Sequence, residues 1–254
     1  MTDSHDVNYA SYLKVDELLR LQQPRTKPEH PDELLFIVVH QASELWFKVI
    51  LHELRHLITD LQAAETVSGL HTMRRVNALV RIVSGHLAAL DTLPPQRFAQ
   101  FRGHLGSSSG GQSAQFRAIE AMSGLRDEHF LAAVSEHGAP PADVEAALKS
   151  PTLQSLFLQL LERHDTNLEQ LYLGPGPTPE FLLAEALLEY DQGFQLWRYL
   201  HVQLVERIIG PGTAGTGGTL GARYLQRTVS QRFFPKLWAV RAGVFGPPAD
   251  VAKG

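Results

Sequence analysis

The sequence lacks several residue patterns, and each absence excludes a class of protein. None of its 254 residues is cysteine, which excludes disulfides, cysteine-ligated metal or cofactor sites and a cysteine nucleophile. The 23 Lys and Arg against 27 Asp and Glu give a net charge of −4 without a basic run, so no nucleic-acid or anionic-membrane partner is expected. No uninterrupted apolar run of about eighteen residues occurs, so no membrane span is predicted. The polar, acidic start at residues 1–19 is unlike a signal peptide, and a cytoplasmic protein is expected.

Helical periodicity dominates the pattern that is present, and no segment alternates like a strand. Apolar residues recur at steps of three and four from residue 31 to residue 63, and Asp32 occupies the position of an N-cap. The predicted helices are residues 31–63, 70–93, 115–122, two shorter helices within 127–173, then 181–209 and 222–240. The sequence therefore predicts one all-α domain over residues 1–254, a helical bundle around two long helices.

One motif points to a zinc peptidase. The segment His52-Glu53-Leu54-Arg55-His56 has the H-E-x-x-H spacing in which two histidines one turn apart bind zinc. At about 100° per residue, however, His52 and His56 lie on the side of the helix opposite Phe36, His40 and the other apolar positions. Residues 66–90 contain no acidic side chain that would supply a third ligand. We therefore interpret the pair as part of a solvated helix face.

Two other histidines interrupt apolar helix faces. His40 lies one turn after Phe36, and a buried neutral imidazole needs hydrogen-bond partners. His40 is therefore either a core histidine bonded to a backbone carbonyl or a ligand contact in a cavity. His201 shares a stripe along the second long helix with apolar and aromatic residues, which are Leu187, Tyr190, Phe194, Trp197, Val205 and Ile208. A lone histidine in such a seam is how helical bundles hold haem iron, although the spacing also suits a core histidine.

Two glycine-rich segments offer places where an anion would bind. Residues 212–221 contain no Gly-Lys-Ser/Thr and follow no strand, which excludes a P-loop and a dinucleotide fingerprint. Their backbone N–H groups and threonines suit a carboxylate, and a flexible loop has the same composition. Arg102 precedes the second segment, residues 107–113. Its guanidinium fork suits a carboxylate, although a surface arginine is the commoner explanation.

Taken together, these segments resemble the tryptophan 2,3-dioxygenase family, whose members are all-α and contain haem. The matching stretches follow the family's order from about Tyr9 to Trp238, and residues 125–178 match weakly and look shorter than usual. The stretches are YASYLKVDELL, DELLFIVVHQASELWFKVILHELRHL, FAQFRGHLGSSSG, QSAQFRAIE, LWRYLHVQLVERIIG, GTGGT and FFPKLW. The resemblance implies haem-dependent oxygenation of the indole ring of L-tryptophan by dioxygen, with 2,3-dioxygenation to N-formylkynurenine as the leading expectation and haem b as the cofactor.

The resemblance also implies a role for each matching residue. His201 matches the axial ligand of the haem iron, and His40 matches the distal, catalytic histidine that accepts a hydrogen bond from the indole N–H. Phe36 matches the aromatic residue that packs on the indole, and Arg102 matches the arginine that pairs with the amino-acid carboxylate. The remaining substrate-side matches are Phe98, Thr216, Tyr9, Tyr12 and Leu13, and the cofactor-side matches are Ser109 and Gly110. Within residues 1–30, the three N-terminal matches belong to a segment that reaches a neighbouring subunit, which implies a homotetramer.

One departure from the family pattern concerns the specificity. The family usually has Ser-Gly-Phe-Gln-Ser where this chain has Ser109-Gly110-Gly111-Gln112-Ser113. Gly111 removes an aromatic side chain and adds backbone freedom near the expected site. A roomier pocket suits a substituted tryptophan, so the alternative expectation is monooxygenation of tryptophan or β-methyltryptophan to a 2-oxindole, as in natural-product relatives of the family.

Overall fold

The computed structural model describes residues 7–108, 110–126, 128–135, 139–213 and 222–244, and these residues are helical, without a strand. The helices are α1 (Tyr9–Leu13), α2 (Val15–Leu18), α3 (Glu33–Gln62), α4 (Thr66–His86), α5 (Pro95–Arg102), α6 (Ala114–Ser123), α7 (Glu128–Ser135), α8 (Ala142–Lys149), α9 (Leu153–Arg163), α10 (Leu168–Leu173), α11 (Pro179–Ile209), α12 (Ala222–Val229) and α13 (Pro235–Val244). Short 3₁₀ turns cover Leu87–Thr92, Gly103–Leu105 and Gly110–Gln112. The all-α class and both long helices, α3 and α11, are confirmed.

Local chemistry explains where the long helices begin. Thr178 caps α11 by accepting a hydrogen bond from the Phe181 N–H, and Pro179 takes the first helical position, where no N–H is needed. Asp32 is the residue before α3, as predicted, but its side chain makes no capping bond. Its carboxylate instead lies 2.5 Å from Arg97 Nε on α5. The beginning of α3 is therefore tied to α5 through a charge pair.

Helix α4 lies between the two long helices and packs against both. Glycines permit the close approach, because a Cβ at Gly193 of α11 would lie 2.9 Å from Val80 Cγ1 of α4. The buried face of α3 completes this core with Ile50, Leu54 and Leu57, none of which is exposed. Burying such side chains contributes about 1.5–3 kcal/mol each, so this three-helix layer is the main apolar support of the fold.

Buried charges fix the middle of α11 against the rest of the core. Asp191 accepts hydrogen bonds from the backbone N–H groups of Phe233 and Phe234 and from Trp238 Nε1. Glu120 of α6 and Arg198 of α11 form an ion pair at 3.0 Å, with both side chains 2% exposed. Each of the three charged groups is thus hydrogen-bonded, although Arg198 Nε is buried without a hydrogen-bond partner among the described residues.

Two predicted segments were wrong in detail. Residues 127–173 contain four helices (α7 to α10) rather than two, because Pro151 and the capping residues Thr152 and Asn167 start new helices. The predicted helix 222–240 is two helices, α12 and α13, because Pro235 begins a new helix and Asp191 holds the preceding N–H groups in a turn. In both regions the apolar periodicity of a helix continues past the point where one helix ends and the next begins. Hydrogen bonds to side chains stabilise each of these breaks.

The N-terminal half of α3 has an exposed apolar stripe. Leu34, Val38 and Leu45 are 49%, 44% and 50% exposed. In length and composition α3 is apolar enough to cross a membrane, although no uninterrupted apolar run predicted it. The helix also passes through the fully buried core at Ile50, Leu54 and Leu57. The core helix of a soluble protein has the same length and apolar composition, so these properties alone do not indicate a membrane span. An exposed apolar stripe is also typical of a surface that another protein segment covers.

Candidate active site

His40 of α3 and His201 of α11 lie near each other at one end of the bundle. Burial, together with a smaller contribution from the nearby imidazole of His40, lowers the pKa of His201 to about 4. Burial is also the main cause that lowers the pKa of His40, against opposing contributions from Phe36 and Glu44. Both imidazoles are therefore neutral near pH 7, the form in which a histidine nitrogen binds a metal ion or accepts a hydrogen bond.

His40 occupies a recess rather than the closed core. Its side chain is exposed to water, yet enough protein surrounds it to lower its pKa. Its Nδ1 lies 2.7 Å from the carbonyl oxygen of Phe36, which accepts but does not donate. Nδ1 therefore carries the proton, and Nε2 keeps a free lone pair. His40 thus has a feature of each predicted alternative. It is bonded to a backbone carbonyl, which fixes its tautomer, and its ring remains accessible to a ligand.

Aromatic side chains from α3 and α5 form one wall beside His40. The Phe36 ring lies 4.3 Å from the His40 ring, 5.6 Å from Phe98 and 5.7 Å from Phe101, measured between centroids. Phe98 and Phe101 are buried, whereas Phe36 is partly exposed. Ile208 of α11 packs on the same cluster. The wall therefore suits a flat apolar ring that would lie against Phe36.

The surroundings of His201 are aromatic on its N-terminal side. Trp197, one turn earlier on α11, has its ring 5.2 Å from the His201 ring. Its Nε1 is buried and has no hydrogen-bond partner among the described residues. An unpartnered buried donor costs free energy, so a polar atom of a bound group would be favoured there. His201 itself is only partly accessible.

Arg102 is the last residue of α5, one turn after Phe98. The N-terminal segment fixes this helix from the outside, because His30 Nε2 lies 2.9 Å from Gln100 Oε1 and its ring lies 5.1 Å from that of Phe101. Buried Glu33 in turn accepts hydrogen bonds of 2.6–3.1 Å from the backbone N–H groups of Arg25 and Thr26 and from the Thr26 hydroxyl. Arg102 is half-buried, and it lies at the edge of the aromatic wall.

Sequence reasoning missed polar residues around His40. Gln115 of α6 donates hydrogen bonds to the carboxylate and the carbonyl of Glu44, at 2.8 and 2.9 Å, and the charge of Glu44 acts on His40. Ser43 Oγ lies 2.8 Å from His86 Nε2. Glu44 follows His40 by four residues, so helical spacing was the available signal. The role of Gln115 and His86 depends on tertiary packing, which no local pattern contains.

Several predicted site residues lie elsewhere or outside the described residues. Tyr9, Tyr12 and Leu13 of α1 are 78%, 75% and 44% exposed, and their predicted contact with a neighbouring subunit's site stays a prediction. Ser109 and Thr216 lie outside the described residues. Gly110 and Gly111 form a 3₁₀ turn, and Arg117 Nε donates to the Gly111 carbonyl at 3.4 Å.

The structure agrees with the interpretation of the H-E-x-x-H segment as a solvated face. His52 and His56 are exposed on α3. Glu53 points the other way, is 7% exposed and pairs with Arg75 of α4 at 3.1 Å. Among the described residues, no group of three or more His, Cys, Asp or Glu is placed to hold a metal ion. A cofactor that needs a single histidine ligand fits the described residues better than a multi-ligand metal centre does.

The described residues form an all-α protein whose two long helices bring two neutral histidines, His40 and His201, near each other beside an aromatic wall. A family model described as tryptophan 2,3-dioxygenase matches residues 2–163 and 175–244. The chain belongs to the tryptophan 2,3-dioxygenase family. Between these two ranges the family model leaves residues 164–174 unmatched. They lie within residues 125–178, where a weak resemblance to the family was expected.

Individual relatives agree with the family model over nearly the whole chain. Tryptophan 2,3-dioxygenase of Anaeromyxobacter sp. (strain K) is 40% identical over 96% of this chain and 100% of its own length. The enzyme of Herpetosiphon aurantiacus is 41% identical over 94% of this chain and 99% of its length. That of Caulobacter vibrioides is 37% identical over 94% and 98%. The similarity therefore includes both long helices and all of the recess.

Proposed function

We propose that this chain adds both atoms of dioxygen to the C2–C3 bond of the indole ring of L-tryptophan and releases N-formylkynurenine. The reaction balances without a reductant, because both oxygen atoms remain in the product. The observation that carries the proposal is the pair of neutral imidazoles, His40 and His201, beside an aromatic wall. Membership of the family supports the same reaction.

Haem b is the proposed cofactor, with the neutral imidazole of His201 as its iron ligand. When bound, ferrous haem supplies the binding and activation of dioxygen. Ser109 and Gly110 are proposed neighbours of the cofactor by their match to the family pattern. The buried N–H of Trp197, which has no partner among the described residues, would donate to a polar atom of the bound group.

The chain's own residues orient the indole. Phe36 offers a ring face for stacking, and His40 Nε2 accepts the indole N–H because its Nδ1 proton is committed to the Phe36 carbonyl. Arg102 pairs with the substrate carboxylate as a bidentate fork, while Thr216 contacts the ammonium and carboxylate end. Phe98 backs Phe36 from α5. Aligning the C2–C3 bond in this way replaces a random encounter by a fixed geometry.

The proposed assembly is a homotetramer in which the N-terminal segment completes a neighbour's site. The side chains of Tyr9 and Tyr12 on the short helix α1 are 78% and 75% exposed. Apolar residues of α2 and of the α3 stripe line a separate groove of about 760 Å³. Exposed aromatic and aliphatic surface of this kind supports association of like chains.

A second candidate reaction is monooxygenation of tryptophan or β-methyltryptophan to a 2-oxindole, with a reductant consuming the other oxygen atom. Gly111 favours it, because a 3₁₀ turn without a side chain at this position leaves more room than an aromatic residue would. The two reactions differ by one oxygen atom in the product, which makes them easy to separate.

The deciding experiment measures the mass of the product formed from L-tryptophan in air by the reduced, haem-loaded protein. A gain of two oxygen atoms, together with the absorbance of N-formylkynurenine, is expected. The same measurement with β-methyltryptophan and excess reductant tests the alternative, which predicts a gain of one oxygen atom. Tryptophan binding without any product would contradict both reactions.

A second experiment tests the carboxylate clamp by changing Arg102 to Lys. A lysine keeps the charge but loses the bidentate fork, so we expect KM to rise by about tenfold to a hundredfold, equivalent to about 1.4–2.7 kcal/mol. Tryptamine, which lacks the carboxylate, should be handled equally by both proteins. An equal effect of the substitution on tryptamine would contradict the assigned partner.

A further inference from the structure

The exposed histidines His52 and His56 form a feature that the proposed oxygenase reaction does not use. Their Nε2 atoms lie 3.1 Å apart, and the ring planes meet at 79° with centroids 4.5 Å apart. Both side chains are exposed on the outer face of α3. They lie four residues apart in the middle of a 30-residue helix, so the backbone holds their separation.

The separation matches what one metal ion requires of two imidazole ligands. Metal–nitrogen bonds of about 2.0–2.1 Å that meet at 90–109° place the two nitrogens about 2.9–3.4 Å apart. The observed 3.1 Å lies within that interval. A metal ion would take the place of the hydrogen bond between the rings. The donor ring would move its proton from Nε2 to Nδ1, so that both Nε2 lone pairs face the metal ion and both Nδ1 atoms carry a proton. Little movement of the helix is needed, so little conformational entropy is lost.

We propose that His52 and His56 form a two-histidine chelating site for a first-row divalent transition metal ion, with Cu²⁺ bound most tightly. Imidazole pairs suit Cu²⁺, Ni²⁺ and Zn²⁺, and Cu²⁺ leads the general order of affinity. Water completes the coordination, since no third His, Cys, Asp or Glu joins the pair among the described residues. The site is therefore exchangeable and separate from the recess that contains His40 and His201.

The proposed site at His52 and His56 differs from the zinc-peptidase site whose H-E-x-x-H spacing it shares. A catalytic zinc site needs a third protein ligand and a free glutamate as base, whereas Glu53 is engaged by Arg75 at 3.1 Å. A surface chelate needs neither. Because the metal ion bridges one turn of the folded helix, its binding stabilises the folded chain in proportion to its occupancy.

The test is calorimetric titration of Cu²⁺ into the untagged, haem-loaded protein, with Ni²⁺ as a second probe. One ion per chain should bind to the unchanged protein. His52→Ala and His56→Ala should each weaken binding by at least about tenfold, because a second tethered donor acts at a high effective concentration. His71→Ala is the matched control, since His71 is exposed on α4 and has no histidine one turn away.

A second measurement does not depend on stoichiometry. Saturating Cu²⁺ should raise the midpoint of urea unfolding of the unchanged protein and of the His71→Ala variant, but not that of His52→Ala. Equal Cu²⁺ binding by His52→Ala and the unchanged protein would overturn the proposal, as would an affinity no better than that of one imidazole. Neither result would bear on the oxygenase reaction, which is measured separately.

Discussion

The two halves of α11 lie in different surroundings. In the first half, Tyr190, Asp191 and Phe194 are fully buried and every polar atom of Asp191 is hydrogen-bonded. In the second half, His201 is only partly accessible but lies beside a recess, and Trp197 has a buried N–H without a partner among the described residues. One continuous helix therefore serves as a structural core and then as the wall of a binding site.

The comparison shows how stability and function are separated along one element. The closed half satisfies its buried polar groups within the chain, so it contributes to the free energy of unfolding. The open half leaves the imidazole of His201 neutral and the N–H of Trp197 without a partner among the described residues, which costs stability until a ligand supplies partners. Substitutions in the closed half should consequently change the free energy of unfolding. Substitutions at the site residues of the open half should change haem content and activity.

The largest effect is expected in the open half, from His201→Ala. Haem content should fall to near zero, and activity should fall by at least about a thousandfold because the cofactor carries the oxidation. The free energy of unfolding of the haem-free protein should change by less than about 1 kcal/mol. The Soret absorbance per chain measures haem content, with His71→Ala as the control. A variant that kept its haem would remove His201 from the proposed role.

The next effect concerns Arg198, a residue of the second half of α11 whose side chain is buried against Glu120 of α6. Glu120→Ala leaves Arg198 buried without its ion-pair partner and should lower the free energy of unfolding by about 3–5 kcal/mol. Haem content per folded chain should stay unchanged. Urea unfolding measures the loss.

The control for this prediction is Glu189→Ala, which removes an ion pair of similar length (2.6 Å) whose side chains are 65% and 55% exposed. That loss should be below about 1 kcal/mol because solvent screens the pair. Similar losses in Glu120→Ala and Glu189→Ala would show that the buried ion pair contributes no more to stability than the exposed one.

A pH titration sharpens the comparison for the haem-free protein. The pKa of His201 is about 4 in the folded chain, and an unfolded histidine has a pKa of about 6.5. The unfolded state thus binds more protons between these values, so stability is lost as pH falls from about 6.5 towards 4, by up to about 3 kcal/mol. His40, whose pKa is also lowered, adds to the loss with the same sign.

The His201→Ala variant provides the control for the titration. Its free energy of unfolding should vary less between pH 6.5 and pH 4 than that of the unchanged protein, since one of the two titrating groups is absent. His71→Ala should keep the full dependence. An unchanged slope in His201→Ala would mean that the imidazole is well hydrated in the haem-free chain.

The smallest effect concerns helix packing in the closed half. Gly193→Ala would place a Cβ 2.9 Å from Val80 Cγ1 and should cost about 1–3 kcal/mol of stability. Gly85→Ala, on the exposed side of α4 with no atom within 4 Å of the new Cβ, should instead stabilise by about 0.5–1 kcal/mol. Thermal or urea unfolding of the pair distinguishes close packing from helix propensity. A gain in both variants would contradict the contact between α4 and α11.

The sequence by itself determined the class of the fold and its long helices. Apolar residues at steps of three and four mark the buried faces of α3 and α11, because amphipathicity is a local property. The predicted start of the second long helix, residue 181, lies two residues after the observed start at Pro179. The same spacing placed His52 and His56 outside the core. The resemblance singled out His40 and His201, whose mutual approach the structure then provides.

Only the tertiary structure decided the remaining features, since they join residues distant in the chain. Asp191 ends one helix and starts another by holding the N–H groups of Phe233 and Phe234, and no local pattern contains that bond. Likewise, the carbonyl of Phe36 fixes the tautomer of His40, but its neutral state depends on the protein packed around the ring. Local spacing sets where a side chain points, whereas its pKa and hydrogen-bond partners depend on the surfaces that packing brings together.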